Sequence, residues 1–180
     1  FSTEAFDLAS QGSGSLLLNA ATTTVDASAL KSLLTASAAA DTATTFTLYD
    51  QVGTVNGSSA ADTFTIGSAS NYVDSTVGTI DGKASSDTLT AYLKASGSIE
   101  SVNAIENINI NIGGLTGTTS SVTVAAAGLG INDASTVVIT GGLAGNVTTL
   151  SGSITDHGMS LDGSAFVGSL AITFGDGGLV

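Results

Sequence analysis

The sequence predicts an all-β chain of short strands joined by Gly/Asp turns, arranged as a β-solenoid or a β-sandwich. Three observations carry that expectation. Polar and apolar residues alternate in short runs, most clearly Thr45-Phe46-Thr47-Leu48-Tyr49 and Ile108-Asn109-Ile110-Asn111-Ile112. Clusters of Gly, Asp, Asn and Ser lie between the runs, and these are the residues that turns favour. The 180 residues include no proline, so nothing interrupts a backbone ladder. With 42% apolar residues and a mean hydropathy of +0.42, the chain has material for a core despite its low charge content.

Residues 1–19 open with Glu4 and Asp7, break at 11–15 and enter a short strand at Leu16-Leu17-Leu18. This segment tucks into its own fold or pairs with a neighbouring subunit. Residues 25–34 admit two readings. Ala29, Leu30, Leu33 and Leu34 suit one face of a helix capped by Asp26. Yet Leu161-Asp162-Gly163-Ser164-Ala165 repeats the pattern of Val25-Asp26-Ala27-Ser28-Ala29 and runs on into a strand at 171–174. If the copies are equivalent, both are turn-then-strand units. Residues 36–45 are small and polar, a connection. Strands are expected at 45–49, 63–66, 89–93 and 108–112. Beyond Gly113-Gly114 come 121–124, 136–139, 146–150 and 171–174, separated by glycine-rich turns. For three of the strands the starts fall about 13 to 15 residues apart, which suits stacked rungs or a meander. The reading is one β-rich domain over 1–180, with a sub-boundary near 113–120 and a recurring module over 46–112.

Fifteen acids face three bases, Lys31, Lys83 and Lys94, for a net charge of −12. Cations are the natural partners of such a surface. Nucleic acid is excluded as a partner because nothing could replace the counterions on phosphates. Anionic membranes are disfavoured for the same reason. No apolar run reaches the length of a membrane span. The absence of cysteine removes disulfides and thiolate metal sites. The chain opens at Phe1 without a basic and apolar leader, which suits a processed chain, a fragment, or export by a C-terminal signal.

The Asp/Gly turns are the candidates for chemistry. Calcium takes six to eight oxygens from carboxylates and turn carbonyls, and glycine permits the positive φ that aims those carbonyls inward. Asp81 and Asp87 flank one such turn, and Asp62 and Asp74 occupy comparable places. Asp26 and Asp162 are weaker candidates. The competing reading is that Asp and Gly are ordinary turn residues. The EF-hand pattern is missing. His157, in Asp156-His157-Gly158, has no poised nucleophile beside it, and nothing specifies that Glu100 and Glu106 face each other as a glycosidase pair. The chain therefore reads as a non-enzyme. Asn109 and Asn111 share a face that could form a hydrogen-bonded ladder.

The order Phe46-Thr47-Leu48, Asn56-Gly57-Ser58, Ala61-Asp62-Thr63-Phe64, Ile80-Asp81-Gly82, Ser86-Asp87-Thr88-Leu89 and Ile105-Glu106-Asn107-Ile108 resembles a module of bacterial surface-layer proteins and repeats-in-toxin-like secreted proteins. Leu161-Asp162-Gly163-Ser164-Ala165-Phe166 resembles a turn of the same proteins. The resemblance implies a calcium-stabilised extracellular or cell-surface protein that assembles into a lattice or a filament. Asp81 and Asp87 would be calcium ligands, with Asp62 a further one. The sequence departs from the family at Lys83 and Ser85, where glycine is usual. The expected partners are further copies of the chain and cell-surface polysaccharide. The alternative is an adhesin or carbohydrate-binding module, for which Tyr49, Tyr72 and Tyr92 give a thin aromatic platform.

Overall fold

The computed structural model describes residues 6–7, 14–20, 22–30, 33–94, 97–113, 119–123, 136–153 and 160–175. Among them the protein is all-β without helix, a β-solenoid of about five turns on parallel sheets. The strands alternate between two sheets. The first runs β1 (Phe6–Asp7), β3 (Thr24–Asp26), β5 (Thr45–Leu48), β7 (Thr63–Ile66), β9 (Thr88–Leu93), β11 (Asn107–Ile112) and β13 (Thr136–Ser153). The second runs β2 (Gly14–Leu17), β4 (Leu34–Ser37), β6 (Val52–Asn56), β8 (Thr76–Asp81) and β10 (Ser98–Asn103). Three further strands, β12 (Thr119–Thr123), β14 (Ser160–Asp162) and β15 (Phe166–Gly175), pair with β13. From β1 to β11 each strand is followed by a crossing to the other sheet, and neighbours within a sheet lie parallel.

Register explains the core. In the first sheet Val25, Phe46, Phe64, Leu89, Ile108 and Val137 stand in one column, all buried. Phe46 and Phe64 stack with centroids 5.2 Å apart and rings within 1° of parallel. Burial of each phenylalanine contributes about 1.5–3 kcal/mol, and the pair adds roughly 1 kcal/mol. A second buried column holds Leu48, Ile66, Ala91, Ile110 and Ile139. The second sheet closes the core from the other side with Val55, Ile80 and Val102 in register. Steps along the first column are 21, 18, 25, 19 and 29 residues, so the register is constant although the turn length is not. The strands whose expected starts fall about 13 to 15 residues apart, β11, β12 and β13, all belong to the first sheet, so that spacing is not the length of a turn.

Several local expectations change. The described residues of 25–34 hold no helix. β3 ends at Asp26, whose carboxylate accepts the Ser28 N–H at 3.0 Å, and the Leu30 N–H closes on the Ala27 carbonyl at 3.1 Å. The second copy does the same: Ser164 N–H meets Asp162 at 2.9 Å, and Phe166 N–H meets the Gly163 carbonyl at 2.9 Å. The two copies are equivalent turn-then-strand units, because an Asx turn satisfies the chain locally where a helix would leave the ladder unpaired. The small, polar connection at 36–45 begins with the end of β4. The strands expected at 136–139 and 146–150 are one strand, β13, which passes through Gly141 and Gly142 at φ 87° and 84°. Asn109 and Asn111 form no asparagine ladder. Register places Asn111 between Tyr92 and Thr140, and it accepts the Tyr72 hydroxyl at 2.9 Å while donating to Thr140 at 3.0 Å.

Candidate functional site

The residue just before each strand of the first sheet occupies a lead position. Register aligns Thr23, Thr44, Asp62, Asp87 and Glu106 there. The main chain of this column is laddered: Thr63 N–H meets Thr44 O at 3.0 Å, Thr88 meets Asp62 at 3.0 Å and Asn107 meets Asp87 at 3.1 Å. For three of the lead residues, Thr44, Asp62 and Asp87, the acceptor of the N–H is the carboxylate one turn later. Asp62 Oδ1 accepts Thr44 N–H at 2.6 Å, Asp87 Oδ1 accepts Asp62 N–H at 2.7 Å, and Glu106 Oε2 accepts Asp87 N–H at 2.7 Å. Three carboxylates thus stitch four turns together with charge-assisted bonds, which are stronger than neutral ones.

The local sequence makes room for them. Gly57 lies five residues before Asp62, and Gly82 five before Asp87. A Cβ on Gly57 would stand 2.5 Å from Asp62 Oδ2, and one on Gly82 would crowd Asp87 Oδ2 and the Ala104 carbonyl. The two sites then diverge. Asp62 Oδ2 accepts the Ser58 N–H at 2.5 Å, so both its oxygens are engaged. The corresponding donor in the next turn, the Lys83 N–H, is turned to Asp81 Oδ1 at 3.0 Å, and Lys83 Nζ pairs with Asp81 Oδ2 at 2.6 Å. Asp87 Oδ2 is left buried without a partner, on a residue that is 0% exposed. Burial pushes the Asp87 carboxyl up to about 6, against the lowering effect of the Asp62 N–H. The charges of Asp62, Glu106 and Asp81 add to the rise.

The six predicted ligands therefore divide. Asp62 and Asp87 share the lead column, with Glu106 as a third member that calcium reasoning did not select. Asp81 ends β8 beside Lys83. Asp74 pairs with Lys94 at 3.0 Å on the surface, and that carboxylate holds the lysine above its usual range. Asp26 and Asp162 sit in their Asx turns, and the Ser164 hydroxyl and N–H hold the Asp162 carboxyl below the usual range. Among the described residues no group of three or more acids or histidines is placed to hold a metal ion. Of the catalytic candidates, Glu100 is exposed on β10, Glu106 belongs to the lead column, and Asp156 and His157 lie outside the described residues.

An open cleft of about 480 Å³ lies over the corner above this column, lined by Ser37, Asn56, Ser58, Ser59 and Lys83 among others. No described helix is long and apolar enough to cross a membrane. Comparison of the chain with protein-family models, curated proteins and solved structures returned no match.

Proposed function

We propose that this chain is a structural scaffold of the cell exterior, a solenoid that self-associates into a surface layer or filament. The observation that carries the reading is the use of the acids. The motif that recurs through 56–107 spends its carboxylates on hydrogen bonds between successive turns, so the motif is a stacking device. Exposed Leu143, Val147 and Val167, on β13 and β15, add apolar surface for contact between copies. Calcium enters this proposal as the counterion that lets subunits of net charge −12 approach. Negative-stain microscopy of the purified chain with calcium and with excess chelator tests it. Sheets or filaments are expected, and monodisperse particles under every condition would refute assembly. A melting curve unchanged by chelator would remove calcium and leave the scaffold.

A second reading rests on the cleft. Its lining of hydroxyls, one amide and one lysine suits a saccharide of a cell-surface polysaccharide. A glycan array without hits would dismiss it.

A further inference from the structure

The outer face of the first sheet carries a feature that the scaffold reading does not use. Outward positions two apart on successive strands are Thr45 and Thr47, Thr63 and Thr65, Thr88 and Thr90. These six form two columns of three, with no register shift between strands. Thr45 and Thr63 are exposed and the other four half-buried. None of the six hydroxyls has a hydrogen-bond partner among the described residues. Asn107 and Asn109 extend both columns on β11. Along the two columns from β3 to β13 the single charge is Asp26, on a chain of net charge −12.

The other sheet is different. It carries one comparable column, Thr35, Thr54 and Thr79, but the column beside it runs Ser37, Asn56, Asp81 and Asn103, where Asn56 Nδ2 bonds Ser37 at 3.1 Å; at the strand starts Thr76 shares a hydrogen bond with Ser98 at 2.9 Å. It also carries Asp81 and Glu100, and its register shifts between Leu34 and Thr35. Among the described residues, two such columns side by side occur on the first sheet alone.

Regularity has a physical consequence. Parallel strands lie about 4.8 Å apart, and residues two apart on one strand about 6.6 Å. Threonine is stiff at χ1, so stacked copies present hydroxyl and methyl in the same directions. The result is a regular array of hydroxyls and methyls in two parallel columns. Spacings of about 4.8 and 6.6 Å lie near, without equalling, the two repeats of the oxygen lattice on the faces of hexagonal ice. A neutral face also suits a neutral lattice, because a charge would orient water around itself and break the order.

We propose that this threonine face binds the ordered water lattice of ice. The test is partition of the full chain into a slowly growing ice hemisphere, in calcium-free dilute buffer. The wild-type chain is expected to enrich in the ice at least tenfold over a globular protein of similar size. Thr65→Lys, at the centre of one column, is expected to lose most of that enrichment, and Thr65→Val to retain part of it. Thr54→Lys on the other sheet is expected to behave as the wild type. Circular dichroism melts of all three variants guard against unfolding. Exclusion of the wild-type chain from ice overturns the proposal without reference to any variant. So does retention on crystalline cellulose or chitin without ice partition, which would assign the face to a polysaccharide. A dimer that Thr65→Lys abolishes, again without ice partition, would assign it to a second copy. Loss of assembly in microscopy leaves this test untouched, since partition needs only the folded monomer.

Discussion

Replacing Asp87 by asparagine should make the protein more stable at neutral pH, against the usual outcome for a buried residue. The substitution keeps Oδ1 for the Asp62 N–H and replaces the unpartnered oxygen with an amide donor. That donor would lie where Asp87 Oδ2 and the Ala104 carbonyl already converge on Gly82. The charged form is what the site resists. The folded carboxyl is raised from 3.8 to about 6, so its stabilising protonation is fully present below pH 3.8 and is lost as pH rises through about 6. A shift of that size corresponds to about 3 kcal/mol at most. Asp87 lies beneath the exposed corner 83–86, where solvent screens the charge, and a loss of about 1–2 kcal/mol between pH 4 and 7 is the working figure. For a chain of this size that is roughly 2–8 °C in melting temperature. Urea and thermal melts at pH 4.5, 5.5, 6.5 and 7.5 on both proteins give the answer. General charge repulsion also weakens in acid, but it affects both proteins, so the difference between them isolates Asp87. A difference that stays constant across the series would refute the reasoning, as would a variant that is less stable at pH 7.5.

Asp62→Ala removes the acceptor of two buried N–H groups, those of Thr44 and Ser58, and is expected to cost about 2–5 kcal/mol in urea melts. Asp81→Ala, whose pair with Lys83 is partly exposed, is expected to change stability by less than about 1 kcal/mol in the same assay. Gly57→Ala places a methyl against Asp62 Oδ2 and should lower the urea midpoint by the equivalent of about 1–3 kcal/mol. Ser85→Gly relieves a φ of 91° and should raise stability by up to about 1 kcal/mol, readable as a higher midpoint at unchanged slope.

The first sheet was legible because its strands alternate strictly. Thr-Phe-Thr-Leu, Thr-Phe-Thr-Ile and Asn-Ile-Asn-Ile announce one face in and one face out, and β5, β7, β9 and β11 lie where the pattern puts them. The second sheet was hidden by its inward residues, which recur three apart instead of two: Val52 and Val55, Val77 and Ile80, Ile99 and Val102. An extra outward or glycine position, such as Gly78 against the Gly53 carbonyl, breaks the alternation on which the reading depends. The site was half legible. An acid directly before Thr-Phe, Thr-Leu and Asn-Ile marks Asp62, Asp87 and Glu106 as a set, and that shared place was the available signal. That each side chain reaches back to the previous turn requires knowing that the turns stack in register. The pairing of Asp74 with Lys94, 20 residues away, leaves no local trace.

The unequal turns have a geometric consequence. Height along the axis is set by strand spacing, so the six steps from β1 to β13 span roughly 29 Å whatever lies between them. The seven residues by which the turn from Phe64 to Leu89 exceeds that from Phe46 to Phe64 add nothing to that height. They spread sideways at the corners, as breadth. The molecule is a ruler graduated in strands, and a peptide grafted into a corner would widen it without changing its length.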